Sequence, residues 1–283
     1  MASMQELRRK MDSITITAKI TKAMRMVAAA KLRKFRNLFT EVNEFYHEFY
    51  DVIGKIIGSC GSIAQKKVDE NAPTLFVILS SSLGLCGAYN IGMNKLLYSM
   101  YKKNDKIMPL GKKSIGYWKT KGLEDALVAP KDLQDNDINF GISLKIGNDI
   151  FADYEAGKYG KVVIVYSHFV NTLVQEAKSI QVLPIDTSLF KNDSKKTESM
   201  ADFDFEPDKR EVLAGLTPQF LQAVLYGSMI ESKVSEYASR QNAMETATNN
   251  ATDLFNNYLL DFNQLRQASI TQEITEIVAG SEQ

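Results

Sequence analysis

Three short stretches of this sequence, and its cysteines and histidines, carry residue types that could do chemistry. Leu83-Gly-Leu-Cys-Gly87 and Gly111-Lys-Lys-Ser114 hold the glycines, lysines and hydroxyl that phosphate-cradling loops use. The first lacks the GxGxxG spacing and no Walker lysine follows it; the second has no glycine where a GxxxxGKS loop requires one, so neither reads as a nucleotide site. The two cysteines, Cys60 and Cys86, are too few for a disulfide framework and have no CxxC or Cys/His spacing for zinc. Cys86 reads as a packed thiol. The two histidines, His47 in an aromatic helical stretch and His168 at a strand end, have no neighbour in sequence that suggests a triad or a metal site. The basic run Lys31-Leu-Arg-Lys-Phe-Arg36 is confined to one helix and reads as a solvated or protein-facing surface, not a nucleic-acid platform. No cofactor, metal or catalytic residue is expected.

The elements that must carry these residues follow from periodicity. Met4, Leu7, Met11, Ile14, Ala18, Thr21, Arg25, Ala28, Leu32, Phe35, Phe39, Val42, Tyr46, Phe49, Ile53, Ile56 and Cys60 fall on a 3-4 spacing, a heptad seam broken by the polar Thr21 and Arg25. A second seam runs from Leu213 through Phe220, Ala223, Ile230, Val234, Tyr237, Met244, Thr248, Ala251, Phe255, Tyr258 and Phe262 to Leu265, with a kink or restart expected at Thr217-Pro218. Its continuation, Ser269, Gln272, Glu276 and Ala279, is polar or small, so the last turns are expected to be held by surrounding protein. Between the seams the period changes. Thr74–Leu79 and Lys161–Tyr166 are continuous apolar runs that suit buried strands, 107–110 and 179–183 are weaker candidates, and helices are expected at 88–103, 113–122 and 141–157. The expected architecture is α/β plus coiled coil: long antiparallel terminal helices with a small inserted Rossmann-like domain. The boundaries are 1–60, 73–190 and 208–283, with 186–207 as a linker.

Composition is that of an ordinary globular chain: 283 residues, 45% hydrophobic, 24% charged, 34 Lys+Arg against 34 Asp+Glu. Neutrality hides two opposed ends. Residues 1–40 hold ten basic residues against Glu6 and Asp12, whereas 207–283 hold five basic and ten acidic residues, so the paired helices should attract, with screening leaving most stability to the apolar seam. Neither a signal-type apolar stretch nor a membrane span is present, and a soluble, cytoplasmic, reducing setting is expected.

Two terminal stretches, Lys19-Ile-Thr-Lys-Ala-Met24 with Met26–Arg33, and Asn263–Gly280, resemble the γ subunit of F-type (F1) ATP synthases. The resemblance extends to Gly84-Leu-Cys-Gly87, Phe205-Glu-Pro-Asp208, Ser239-Arg240 and Asn242-Ala-Met244, so it spans essentially the whole chain. It implies a non-catalytic rotor inside a hexamer of α and β subunits, its α/β domain forming a foot on the ε subunit and the membrane c-ring, at the cytoplasmic face of the cell membrane. It maps hexamer contacts onto Met24, Arg240, Arg266, Gln267, Thr271 and Glu276, and places Gly84, Leu85, Cys86 and Gly87 in the foot domain. Arg266 and Gln267 would be donors to carboxylates of a catch loop. The family usually has an acidic-basic pair where Ser82-Leu83 stand and is often acidic at the position of Arg25. The alternative functions are an F1-like motor with a different output and a non-rotating coiled-coil scaffold; an independent enzyme on residues 73–190 has no supporting motif.

Overall fold

The computed structural model describes residues 3–60, 72–185, 206 and 209–281, with backbone only at 45–48, 50–51, 54–55, 57–60, 209–210, 213 and 281. The linker expected at 186–207, most of Phe205–Asp208 and the side chains of His47 and Cys60 lie outside the described residues. In chain order the elements are α1 (Met4–Cys60), β1 (Thr74–Ile78), α2 (Tyr89–Met100), β2 (Lys106–Pro109), α3 (Lys112–Thr120), α4 (Phe140–Glu155), β3 (Lys161–Phe169), β4 (Gln175–Leu183) and α5 (Lys209–Ser281). Two single 3-10 turns, Glu124–Ala126 and Asp135–Asp137, link α3 to α4. The chain divides into two compact units, 1–30 with 240–283, and 31–239.

The first unit is a helix pair. Lys10 lies 5.9 Å from the centre of the Tyr258 ring, Thr21 bonds Thr248, and Arg25 pairs with Glu245, so each step forward on α1 meets a step back on α5 and the helices are antiparallel. The α1 seam is legible in burial: Leu7, Thr21 and Ala28 are buried and Met11, Ile14, Ala18 and Arg25 half-buried. Both polar breaks in the seam have polar partners opposite. A hydroxyl facing a hydroxyl and a guanidinium facing a carboxylate satisfy each other only in one alignment, which is how a polar seam position fixes register.

In the second unit a four-stranded sheet has the order β2-β1-β3-β4. β1 runs parallel to β2 and β3, and β4 returns antiparallel from β3. The continuous apolar run of β1 is explained by burial of both faces. Leu75 and Val77 join Ile146 and Ile150 of α4 and Phe220, Leu221, Val224 and Leu225 of α5 in one core, together with Ile53 of α1. Phe76 and Ile78 face the other way, into a core with Met93 and Leu97 of α2 and Trp118 of α3. The buried indole N–H is satisfied by Asn94 at 2.9 Å.

Three expectations need correction. α5 is continuous through Pro218, without a restart. A mid-helix proline costs about 3 kcal/mol, and the adjoining turns, carrying the buried Phe220, Leu221 and Val224, supply packing that outweighs it. Phe220–Ala238 is also more than a one-sided seam. Apart from Tyr226, Gly227 and Glu231, which are half-buried, all of it is buried. Finally, β4 starts at Gln175, four residues before the run expected from sequence, because a polar edge strand carries no apolar signal there.

Candidate functional site

The crevice at the carboxyl ends of β1 and β3 is where chain order reverses in the sheet, the position at which open α/β folds take ligands. Here the chain's own α5 fills it. Ser232 Oγ accepts from the Ser167 amide at 3.1 Å, and Ser235 Oγ donates to the Ser167 carbonyl at 3.0 Å. Glu231 Oε1 accepts from the Phe169 amide at 3.0 Å and lies 2.6 Å from His168 Nδ1. Ser239 Oγ donates to the Cys86 carbonyl at 2.7 Å. A row of small hydroxyl residues lets the helix approach the strand ends closely while satisfying backbone groups that a ligand would otherwise meet. His168 therefore serves packing of α5 on β3.

The two glycine-bearing stretches border the same end of the sheet. In Gly84–Gly87 the backbone of Leu85 and Gly87 is left-handed (φ 63° and 56°), a turn that leaves Leu85 exposed and tucks Cys86 inside. The Cys86 sulfur receives the Asn90 amide at 3.1 Å. Gly111 has φ 156°, and a Cβ there would lie 2.1 Å from the Ser80 carbonyl oxygen. The amides of Lys113 and Ser114 bond the Ser81 carbonyl and Ser80 Oγ, so the start of α3 is capped from within the chain. Among the described residues no group of three His, Cys, Asp or Glu is placed to hold a metal ion.

The six residues assigned to a hexamer contact form two groups. Met24 is half-buried and Arg240 is 6% exposed, whereas Arg266, Gln267, Thr271 and Glu276 are fully on the surface. Along α5 the rise from Arg240 to Arg266 is about 39 Å, so the groups are separate. Thr271 Oγ1 donates to the Gln267 carbonyl at 2.9 Å and Gln272 Nε2 to Glu276 at 2.9 Å, local bonds that leave the outward faces open. The helix register explains the exposure: beyond Leu265, α5 has no described residue of α1 opposite it.

One feature of this tip escaped the sequence reading. Ile270, Ile274, Ile277 and Val278 are exposed, Ile277 at 71%, at i, i+4, i+7 and i+8. They make an apolar stripe on a face other than the heptad seam. Its 3-4 spacing was visible in sequence, but following the seam through Ser269, Gln272 and Glu276 led past it.

The sequence matches the ATP synthase family model over residues 3–283. The ATP synthase gamma chain of Mycoplasmoides gallisepticum is 42% identical over 287 residues, covering 99% of each chain. The chain belongs to the ATP synthase gamma chain family. The gamma chain of Mycoplasma pneumoniae is likewise 42% identical, over 282 residues and 99% of each chain. In structure this family member is similar to a chain of the Tetrahymena thermophila mitochondrial ATP synthase central stalk/c-ring, with TM-score 0.63 and 26% identity, over 81% of this chain and 99% of that one. Its fold also matches a chain of the Euglena gracilis mitochondrial ATP synthase rotor at TM-score 0.69 and 20% identity, covering 94% and 98%. Among the described residues of this gamma chain no helix is long and apolar enough to cross a membrane.

Proposed function

We propose that the chain is the central, non-catalytic rotor of an F1-type ATPase/ATP synthase, coupling ATP synthesis or hydrolysis on α and β partner subunits to ion transport through a membrane ring. The observation that carries this reading is the apolar stripe at the end of α5. The last turns expose Ile270, Ile274 and Ile277 at the surface, and an encircling sleeve of other subunits would cover them. The stripe occupies one side only. Turning such a helix presents an apolar face to one surrounding subunit and a polar face to another, so each angle favours a different conformation of those subunits, which is the differential contact that coupling requires.

On this reading 1–60 and 208–283 form the shaft and 73–190 the foot, which contacts the ε subunit and the c-ring at the cytoplasmic face of the cell membrane and includes the turn of Gly84, Leu85, Cys86 and Gly87, with Leu85 exposed and Cys86 buried. Met24 and Arg240 meet the hexamer at one level and Arg266, Gln267, Thr271 and Glu276 at another, with Arg266 and Gln267 donating to carboxylates. The filled crevice supports the non-catalytic role, since α5 stands where an α/β enzyme would hold its ligand.

Co-expression with the α and β subunits tests the reading. One copy should purify per hexamer, and ATP hydrolysis should rotate a bead fixed to the α/β domain. A chain that stays outside the hexamer, or a hexamer whose turnover is unchanged when the tip is cross-linked to it, contradicts the rotor.

A further inference from the structure

Asp135 sits on the second of the two 3-10 turns between α3 and α4, outside every motif that the sequence offered. Its carboxylate gathers three donors from two other elements. Lys31 Nζ of α1 donates to Oδ2 at 2.6 Å, the Tyr237 hydroxyl of α5 donates to the same oxygen, and Lys233 Nζ of α5 lies 3.3 Å from Oδ1. Lys233 also donates to Glu236 at 2.9 Å, and these two side chains are only 8% and 3% exposed. The Lys31 ammonium lies 5.4 Å from the centre of the Tyr237 ring, which stacks on Phe35 of α1.

The turn that presents Asp135 is itself braced. Asp137 accepts from the Gln134 amide at 2.8 Å, and Ser82 Oγ, at the end of β1, donates to the Leu133 carbonyl at 2.9 Å. Beside the cluster is a cavity of about 250 Å³ bordered by Lys34, Ser82 and Asn136. Apolar packing is thus incomplete where the turn meets α1 and α5, and there the ionic cluster adds a directional link to the one the apolar core makes elsewhere.

We propose that Asp135 is a mechanical joint: it fastens the α/β domain to both long helices at once, so that torque on the helices reaches the domain without slack. The proposal rests on the rotor reading. A charge-assisted cluster suits this role because it is directional: sliding of α1 or α5 by one turn would part an ammonium or a hydroxyl from the carboxylate, whereas an apolar contact would slide to an equivalent one. Asp135 is a positioning residue and touches no reacting group.

The test uses the full chain assembled with its hexamer, the hexamer fixed to a surface and a bead on the α/β domain. Wild type should rotate on ATP and, when stalled, show a narrow angular distribution. Asp135→Asn should broaden that distribution and lower stall torque, while Asp135→Glu restores both and ATP hydrolysis without load is unchanged. If Asp135→Asn does not assemble, Lys31→Gln removes only the α1 arm at an exposed position. It should broaden the distribution with a melting temperature within about 4 °C of wild type. An unchanged distribution in the variant that assembles overturns the joint while leaving the rotor intact. Failure of the wild type to rotate overturns the rotor reading and the joint with it.

Discussion

Thr21 and Thr248 meet across the two long helices with 2.8 Å between their hydroxyl oxygens, at a position where a continuous heptad seam would have apolar side chains. Thr248 also lies 2.7 Å from the Met244 carbonyl and Thr21 lies 3.1 Å from that of Ala18, so each proton has an acceptor and each hydroxyl a donor within reach. The pair is self-sufficient in a half-dry seam. Thr21→Val should therefore destabilise the chain by about 1 kcal/mol by removing the hydroxyl–hydroxyl bond, while Thr248 keeps the Met244 carbonyl as acceptor, and Thr21→Val with Thr248→Val by less than the sum of the two single changes. Urea denaturation of the four chains measures this coupling; strict additivity would show that the hydroxyls do not interact.

Gly111 cannot be replaced. Alanine would put a Cβ 2.1 Å from the Ser80 carbonyl oxygen in a backbone conformation (φ 156°) that side chains avoid. The expected cost is about 3 kcal/mol or more, seen as a lowered denaturation midpoint or loss of soluble protein. Alanine at Gly116, where a Cβ meets nothing within 4 Å, is the matched control and should be neutral or stabilising.

Ser235 is fully buried where α5 crosses the end of β3. Valine there adds bulk at a close approach and strands the Ser167 carbonyl, with an expected loss of about 2 kcal/mol. Hydrogen exchange at the Ser167 and Phe169 amides should rise in that variant before exchange in β1 does.

Acid should loosen the Asp135 cluster. Burial opposes the charge on this carboxyl, yet hydrogen bonds from Lys31 and Tyr237 and the charges of Lys233 and Lys31 outweigh it and hold its pKa at about 2, below the ordinary 3.8. The group binds its proton more readily unfolded, so its contribution is complete above about pH 4 and is lost as pH falls from there through about 2, a loss of at most about 2 kcal/mol. Lys34, Lys233 and Glu236 also face the site. Denaturation midpoints should fall more steeply between pH 4 and 2 for wild type than for Asp135→Asn.

Arg266→Ala with Gln267→Ala should leave the isolated chain's stability within about 0.5 kcal/mol, because both side chains are exposed. In the assembled complex the same pair should reduce coupled turnover. Matching thermal melts with a fall in turnover support the contact; unchanged turnover removes it.

Local signals carried much of this architecture into the sequence. Seam positions from Leu7 to Val42 are buried or half-buried where the 3-4 spacing placed them, and each strand core fell within an expected run. What stayed hidden depends on distant residues. Ser232 and Ser235 look like ordinary helix serines until the end of β3 that they bond is known. Asp135 sits in a polar connection with nothing local to mark it, and its partners come from the far ends of the chain. Pro218 announces a break that packing cancels. The apolar stripe at the tip was legible in composition, but its exposure was not.

The one-for-one pairing of α1 and α5 also limits how such a chain can change its length. Adding a single residue to either helix between the Lys10–Tyr258 and Arg25–Glu245 contacts turns everything beyond it by about 100°, so polar partners would face apolar ones. Insertions and deletions in the paired region are therefore tolerable only as whole heptads or as matched changes in both helices. Beyond Leu265, where no described residue of α1 lies opposite α5, that constraint from α1 does not apply, and the length of the end is set instead by what the tip contacts.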